Sequence, residues 1–222
     1  MCVVAGVDGC RGGWVGVVLA DDGTVRDARV AHTFDALTAA FGRVDVVGVD
    51  MPVGLVETGV RECERLARRL LAARASTVFP MPPRGALAAP THAQAVARCR
   101  ELGVPGVSAQ GYALRRKVFE VEQVAAASRA VPVVEIHPEL SFRAMTGDVL
   151  PSKRSADGIA RREEALRRHG IAVPGVRGAE RDDVLDAAAV AWSASRYAHG
   201  EAVSLPDPPQ RGPGGEAIAI WY

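Results

Sequence analysis

Apolar positions come in short runs near the start of the chain and in helical spacing further on. Cys2 to Val7 is almost wholly apolar, as expected of a strand buried on both faces. Gly9, Gly12 and Gly13 mark a turn, and Trp14 to Ala20 forms a second strand. Asp21-Asp22-Gly23 is a hairpin signal. It leads into a third, more polar strand over Thr24 to Ala31. Thr33 or Asp35 caps a short helix carrying Phe34, Leu37 and Phe41 and closed by Gly42. A fourth strand, Asp45 to Asp50, stops at Pro52. This order predicts an antiparallel meander followed by a helical crossover, which lays the fourth strand parallel to the first. The two strands then end side by side.

From about residue 57 to residue 130 the pattern turns helical and reads as an insertion. Arg61 to Ala75 sets Cys63, Leu66, Leu70 and Leu71 against a ring of arginines. Pro80, Pro82, Pro83, Gly85 and Pro90 predict a stiff loop, and helices follow over Thr91 to Leu102 and Ser108 to Ser128. The sheet resumes at Val131 to Ile136. Lys153 to His169 is a charged helical stretch, and Arg181 to His199 is a long final helix ended by Gly200. A Pro/Gly-rich tail over Pro206 to Gly215 precedes the apolar segment Ala217 to Tyr222, which suits an edge strand or a homodimer contact. The whole reads as one α/β domain over residues 1–222.

The chemistry gathers at strand ends. Asp8 ends the first apolar run and Asp50 the fourth, while Asp183 and Asp186 lie three apart on one face at the start of the final helix. Acids in a first helical turn also complement the helix dipole, which accounts for Asp182 but not for Asp186, one turn deeper. At ~4 Å two carboxylates repel by roughly 1 kcal/mol in water and about 4 kcal/mol at an effective dielectric of ~20. A divalent cation removes that repulsion and supplies a reaction centre. Glu135 and His137 alternate on a strand and share a face, so Glu135 is a further candidate catalytic group and His137 a candidate contact to substrate.

The formal net charge is only +1, so nucleic-acid contact has to come from a local patch rather than overall basicity. Lysine occurs only at Lys117 and Lys153; with Arg61, Arg68 and Arg84 these are the candidate phosphate contacts. Cys2, Cys10, Cys63 and Cys99 lack ligand spacing for zinc. No signal segment and no membrane-length apolar run is visible, so a cytoplasmic location and no membrane partner are expected.

Several segments together resemble a known family. They are Gly6-Val7-Asp8-Gly9-Cys10-Arg11-Gly12-Gly13-Trp14, Val49-Asp50-Met51-Pro52-Val53-Gly54-Leu55, Arg61-Glu62-Cys63, Ser76-Thr77-Val78-Phe79-Pro80, Lys117-Val118-Phe119-Glu120-Val121, Glu135-Ile136-His137-Pro138-Glu139, Ser152-Lys153 and Asp182-Asp183-Val184-Leu185-Asp186-Ala187. In this order the chain resembles the domain of unknown function 429 family, predicted nucleases of the ribonuclease H-like superfamily. The resemblance implies a mixed five-stranded sheet flanked by helices, with acids on strand one, after strand four and on the last helix. Holliday junction resolvases are similar in placing two acids three apart on that helix. Many superfamily nucleases carry Glu where Asp50 stands here.

The expectation is divalent-metal-dependent phosphodiester hydrolysis on nucleic acid, with Asp8, Asp50, Asp183 and Asp186 holding one or two Mg²⁺ or Mn²⁺ ions. Two other classes compete. Actin-like and sugar kinases also open with an acid followed by glycines, as Asp8 to Gly13 does, but they need a second nucleotide-binding half. A non-catalytic regulatory module is the third reading.

Overall fold

The computed structural model describes residues 2–128 and 130–222; Arg129, inside the expected insertion, lies outside the described residues. A mixed five-stranded sheet forms the centre, in the order β3-β2-β1-β4-β5. Its strands are β1 (Val3–Cys10), β2 (Gly13–Ala20), β3 (Val25–Ala31), β4 (Val46–Val49) and β5 (Val133–Glu135). β1 to β3 are antiparallel neighbours, whereas β4 runs parallel to both β1 and β5. The helix α1 (Phe34–Ala40), capped by Thr33, makes the expected crossover from β3 to β4.

Strand parity divides the core. Val4, Val15, Val17, Leu19, Val46 and Val134 pack under the final helix α9 (Arg181–Ala198). Ala5, Val7, Val18, Val47 and Val49 pack on the other side with Phe34, Leu37, Val118 and Val121. The α9 face of the sheet is unusually flat at one point, because Gly6 of β1 pairs with Gly48 of β4. A Cβ on Gly6 would lie 2.1 Å from the Ala191 amide nitrogen and 2.2 Å from the Ala187 carbonyl oxygen. On Gly48 it would lie 2.6 Å from Ile136 Cδ1 and 2.9 Å from Val190 Cγ1. Glycine is therefore required by space, and the alanines of α9 complete the close approach of backbone to backbone.

Between β4 and β5 the chain forms α2 (Glu62–Leu71), a 3₁₀ stretch over Ala72–Thr77, then α3 (Arg84–Leu87), α4 (His92–Glu101), α5 (Ala109–Ala113) and α6 (Arg115–Ala127). The stretch Ser108 to Ser128 is thus two helices, broken at Leu114, and the Pro-rich loop contains one helical turn. A helix that the hydrophobic pattern did not predict, α7 (Pro138–Thr146), follows β5; Pro138 opens it and Gly147 (φ 83°) closes it. The charged helix α8 is shorter than expected, Ala156–Arg168 with Ser155 as its cap, so Lys153 stands in the loop before it.

The tail is a second sheet, β6 (Ser204–Arg211) with β7 (Ala217–Trp221). The prolines of β6 are tolerated because the ladder breaks between Leu205 and Gln210. Ile218 and Ile220 are buried against Cys63, Ala67 and Leu71 of α2 and Leu140 of α7, and Trp221 bridges to Ile136 beside β5. The apolar C-terminal segment is therefore covered within the chain, which removes the basis for a dimer through it. Among the described residues no helix is long and apolar enough to cross a membrane.

Packing against backbone leaves Gly6 no room to relax. We expect Gly6→Ala to destabilise the fold by about 3 kcal/mol, the upper part of the overpacking range, and to lower Tm by roughly 6–12 °C. Gly12→Ala, whose Cβ meets nothing within 4 Å, is the control. Thermal denaturation of the two variants checks the difference.

Candidate active site

Parity and register together assemble the acids. Since Gly6 and Gly48 are partners facing α9, the residues two further on, Asp8 and Asp50, face the same helix. The Asp50 amide donates to the Val7 carbonyl at 2.9 Å, which ties the end of β4 to β1 immediately before Asp8. Asp186 projects from α9 into the same charged neighbourhood: Asp8 feels Asp50, Asp186 and Asp183 electrostatically. Asp8 and Asp186 are buried, and Asp50 and Asp183 partly so.

Burial dominates their protonation. It pushes the Asp8 carboxyl well above its ordinary range, helped by the charge of Asp50. Asp50 rises to about 7 for the same reason, although Lys153 opposes the shift. Asp186 rises to about 6, again by burial and again against Lys153. Burial raises Asp183 as well, with Asp182 adding to it.

The protein supplies little to offset this. Asp8 accepts one bond, from the Gly9 amide at 2.6 Å. Among the described residues no hydrogen bond reaches the Asp50 carboxylate. Lys153 donates from Nζ to Asp186 Oδ2 at 2.6 Å and stands 3.4 Å from Asp182 Oδ2. Lys117, from α6, stands on the other side: its ammonium donates to the carbonyls of Gly13 and, at 3.4 Å, Cys10, and lies 4.3 Å from the centre of the Trp14 ring. Burial lowers the Lys117 pKa, opposed by Asp8.

A cavity of about 290 Å³ opens onto these groups. Asp8, Asp50, Lys117, Glu135, His137 and Arg11 are among its walls. Arg11, on the β1–β2 turn, is an exposed cation at this site that the charge reading passed over; its place in the Asp8-to-Gly13 turn was the available signal.

The other candidates are held by partners of their own. Glu135 pairs with Val49 in the ladder, so its side chain leaves the sheet on the face opposite Asp8 and Asp50. Its carboxylate binds the Arg61 guanidinium and accepts from the Val53 amide at 2.8 Å. It holds the loop after β4, and its charge still reaches Asp50 at the shared cavity. Arg61 is wholly buried between Glu135 and Glu64 and cannot reach a phosphate in solvent. Arg68 donates to the carbonyls of Ala75 and Val78, both at 2.8 Å, and fastens the 3₁₀ stretch. Arg84 is held by Glu122 and Glu57 away from this cavity. His137 caps α7 by accepting from the Glu139 amide at 3.3 Å, and burial lowers its pKa.

The fit of a divalent ion rests on the donors themselves. Asp8, Asp50, Asp183 and Asp186 are hard oxygen donors whose charges exceed those of the nearby lysines, and Mg²⁺ or Mn²⁺ matches that chemistry. Among the described residues no three Asp, Glu, His or Cys side chains already stand as a metal site.

Raised carboxyl pKa values carry a stability cost of definite sign. The folded protein holds protons on Asp50 and Asp186 that the unfolded chain has already lost, between about pH 4 and the values near 7 and 6. Stability from this site is therefore greatest at the acid end of that window and falls as pH rises through it. We expect the metal-free wild type to lose Tm more steeply than Asp50→Asn between pH 5 and 7.5, as read by thermal denaturation in chelator.

No curated protein matches the chain. A family model described as "Protein of unknown function (DUF429)" matches residues 6–211, from the glycine that seats α9 to the end of β6. The match spans nearly the whole sequence, and the chain belongs to the DUF429 family.

Proposed function

We propose that this protein is a ribonuclease H-like, divalent-metal-dependent nuclease that hydrolyses a phosphodiester bond in nucleic acid. The observation that carries the reading is the pair Asp8 and Asp50, side by side at parallel strand ends, facing α9 and its acids without a matching set of donors. The strand order β3-β2-β1-β4-β5, with acids on β1, after β4 and on the last helix, supports the same reading.

Asp8 and Asp50 are the residues at the cavity that would hold Mg²⁺ or Mn²⁺, with the acids Asp183 and Asp186 of α9 adding negative charge beside them. Bound there, such an ion supplies Lewis-acid activation of water and neutralises charge developing on the phosphoryl oxygens. The chain does the rest. Lys117 and Arg11, at the cavity, suit phosphate oxygens by charge and position. The rigid β1–β4 seam fixes the two carboxylates, so orientation requires no rearrangement of backbone. The apolar wall formed by Phe79, Met81, Leu114 and Ile220 limits water around the reacting group. Arg61, Arg68 and Arg84 have internal partners and do not line this cavity.

Single- and double-stranded DNA, RNA and hybrid substrates, assayed with Mn²⁺ and with chelator, test the reading. We expect metal-dependent cleavage that falls at least about 100-fold in Asp8→Asn and in Asp50→Asn, since even groups behind a metal ligand typically cost 10- to 100-fold. Both variants should keep the wild-type circular dichroism spectrum. Cleavage that survives in chelator, or in both variants, contradicts the proposal.

A further inference from the structure

We infer that Lys153 is a built-in cation standing where a second metal ion would otherwise sit, so that the site takes one divalent ion, on Asp8 and Asp50. This inference rests on the metal-dependent reading above and narrows it.

The ammonium of Lys153 is shared by two carboxylates of α9, at 2.6 Å from Asp186 and 3.4 Å from Asp182. Its root is held firmly, unlike that of an ordinary surface lysine. The Pro151 carbonyl accepts from Arg162 Nη1 at 2.8 Å, and Arg162 is itself wholly buried and bound to Glu139 through Nη2 at 2.7 and 2.8 Å. The Ser152 carbonyl accepts from the Ser155 amide at 3.0 Å and from its hydroxyl at 2.8 Å. A Cβ on Gly158 would lie only 2.0 Å from that same carbonyl oxygen. The first turn of α8 is thus packed directly on the peptide that precedes Lys153. A glycine is needed there for the loop to come so close, and the loop delivers one residue of consequence to α9.

Charge then decides the occupancy. Asp186 has its counter-ion, and freeing it for a metal would take the nearer partner from a partly buried ammonium and leave it only Asp182, at 3.4 Å. A divalent ion placed between Asp182 and Asp186 would also stand against the like charge of Lys153. Asp8 and Asp50 feel the charge of Lys153 but make no ion pair with it, and they, not Asp182, Asp183, Asp186 or Lys153, line the cavity. Two carboxylates and one divalent ion balance.

Counting Mn²⁺ by isothermal titration calorimetry and by the electron paramagnetic resonance of free Mn²⁺, on the full chain at pH 7.5, tests this. Wild type should bind one ion per chain and Lys153→Arg one. Lys153→Met should bind two, because Asp182 and Asp186 are released. Asp186→Asn should keep the single ion, and Asp50→Asn should lose it. Two ions in wild type, a count of one in folded Lys153→Met, or loss of the ion in Asp186→Asn overturns the inference while leaving metal dependence intact. A wild type that binds no Mn²⁺ overturns both. Should Lys153→Met fail to fold, the wild-type and Asp186→Asn counts decide the matter alone.

Discussion

The contact of α9 with β1 at Gly6 governs the arrangement of everything else. Backbone meets backbone there, and the partner glycine, Gly48, extends the flat strip onto β4. A side chain at either position would push the helix outward. The acid of α9, Asp186, would then withdraw from Asp8 and Asp50, which stand two residues beyond those glycines on the same face. One packing requirement thus sets both the core and the spacing of the site. It also explains why α9 is so rich in alanine along the buried side: larger residues would restore the gap that the glycines remove.

Around this seam, charge is divided into neutralised and unneutralised regions. Arg61 with Glu64 and Glu135, and Glu139 with Arg162 and Arg74, form pairs that anchor the insertion to β5 and α7, and α8 to α7. Such pairs contribute little net stability compared with apolar replacements, yet losing one partner is expensive, so they fix geometry more than they add energy. Asp8 and Asp50 lie outside this system. Their raised pKa values are the thermodynamic trace of carboxylates held where the fold alone does not offset their charge. Lys153 marks the boundary between the two regions, offsetting Asp186 and leaving the pair at the strand ends exposed to the cavity.

Much of this was legible in the amino-acid sequence. The runs ending in Asp8 and Asp50 predicted strands, their order predicted parallel pairing, and the spacing of Asp183 and Asp186 put both on one helix. Local patterns carry that information. What escaped depends on partners far along the chain. Glu135 and His137 were known to alternate, but only the pairing of Glu135 with Val49 tells which face receives them. Arg61, Arg68 and Arg84 looked like surface cations because nothing local distinguishes a solvated arginine from one that neutralises a distant glutamate. The strand β6 was hidden by its prolines, which sit where the ladder lapses. The helix α7 had its own signals, Pro138 and Gly147, overshadowed by the acids beside them.

The central claim is that Asp8 and Asp50 form the cation seat, with Asp186 held aside by Lys153. Anomalous diffraction at the manganese edge, from crystals equilibrated with Mn²⁺, addresses it most directly. The account predicts a single anomalous peak in contact with carboxylate oxygens of both Asp8 and Asp50, and an intact contact between Lys153 and Asp186. A peak seated instead on Asp182 and Asp186 with Lys153 displaced, or no peak at the strand ends, would contradict it.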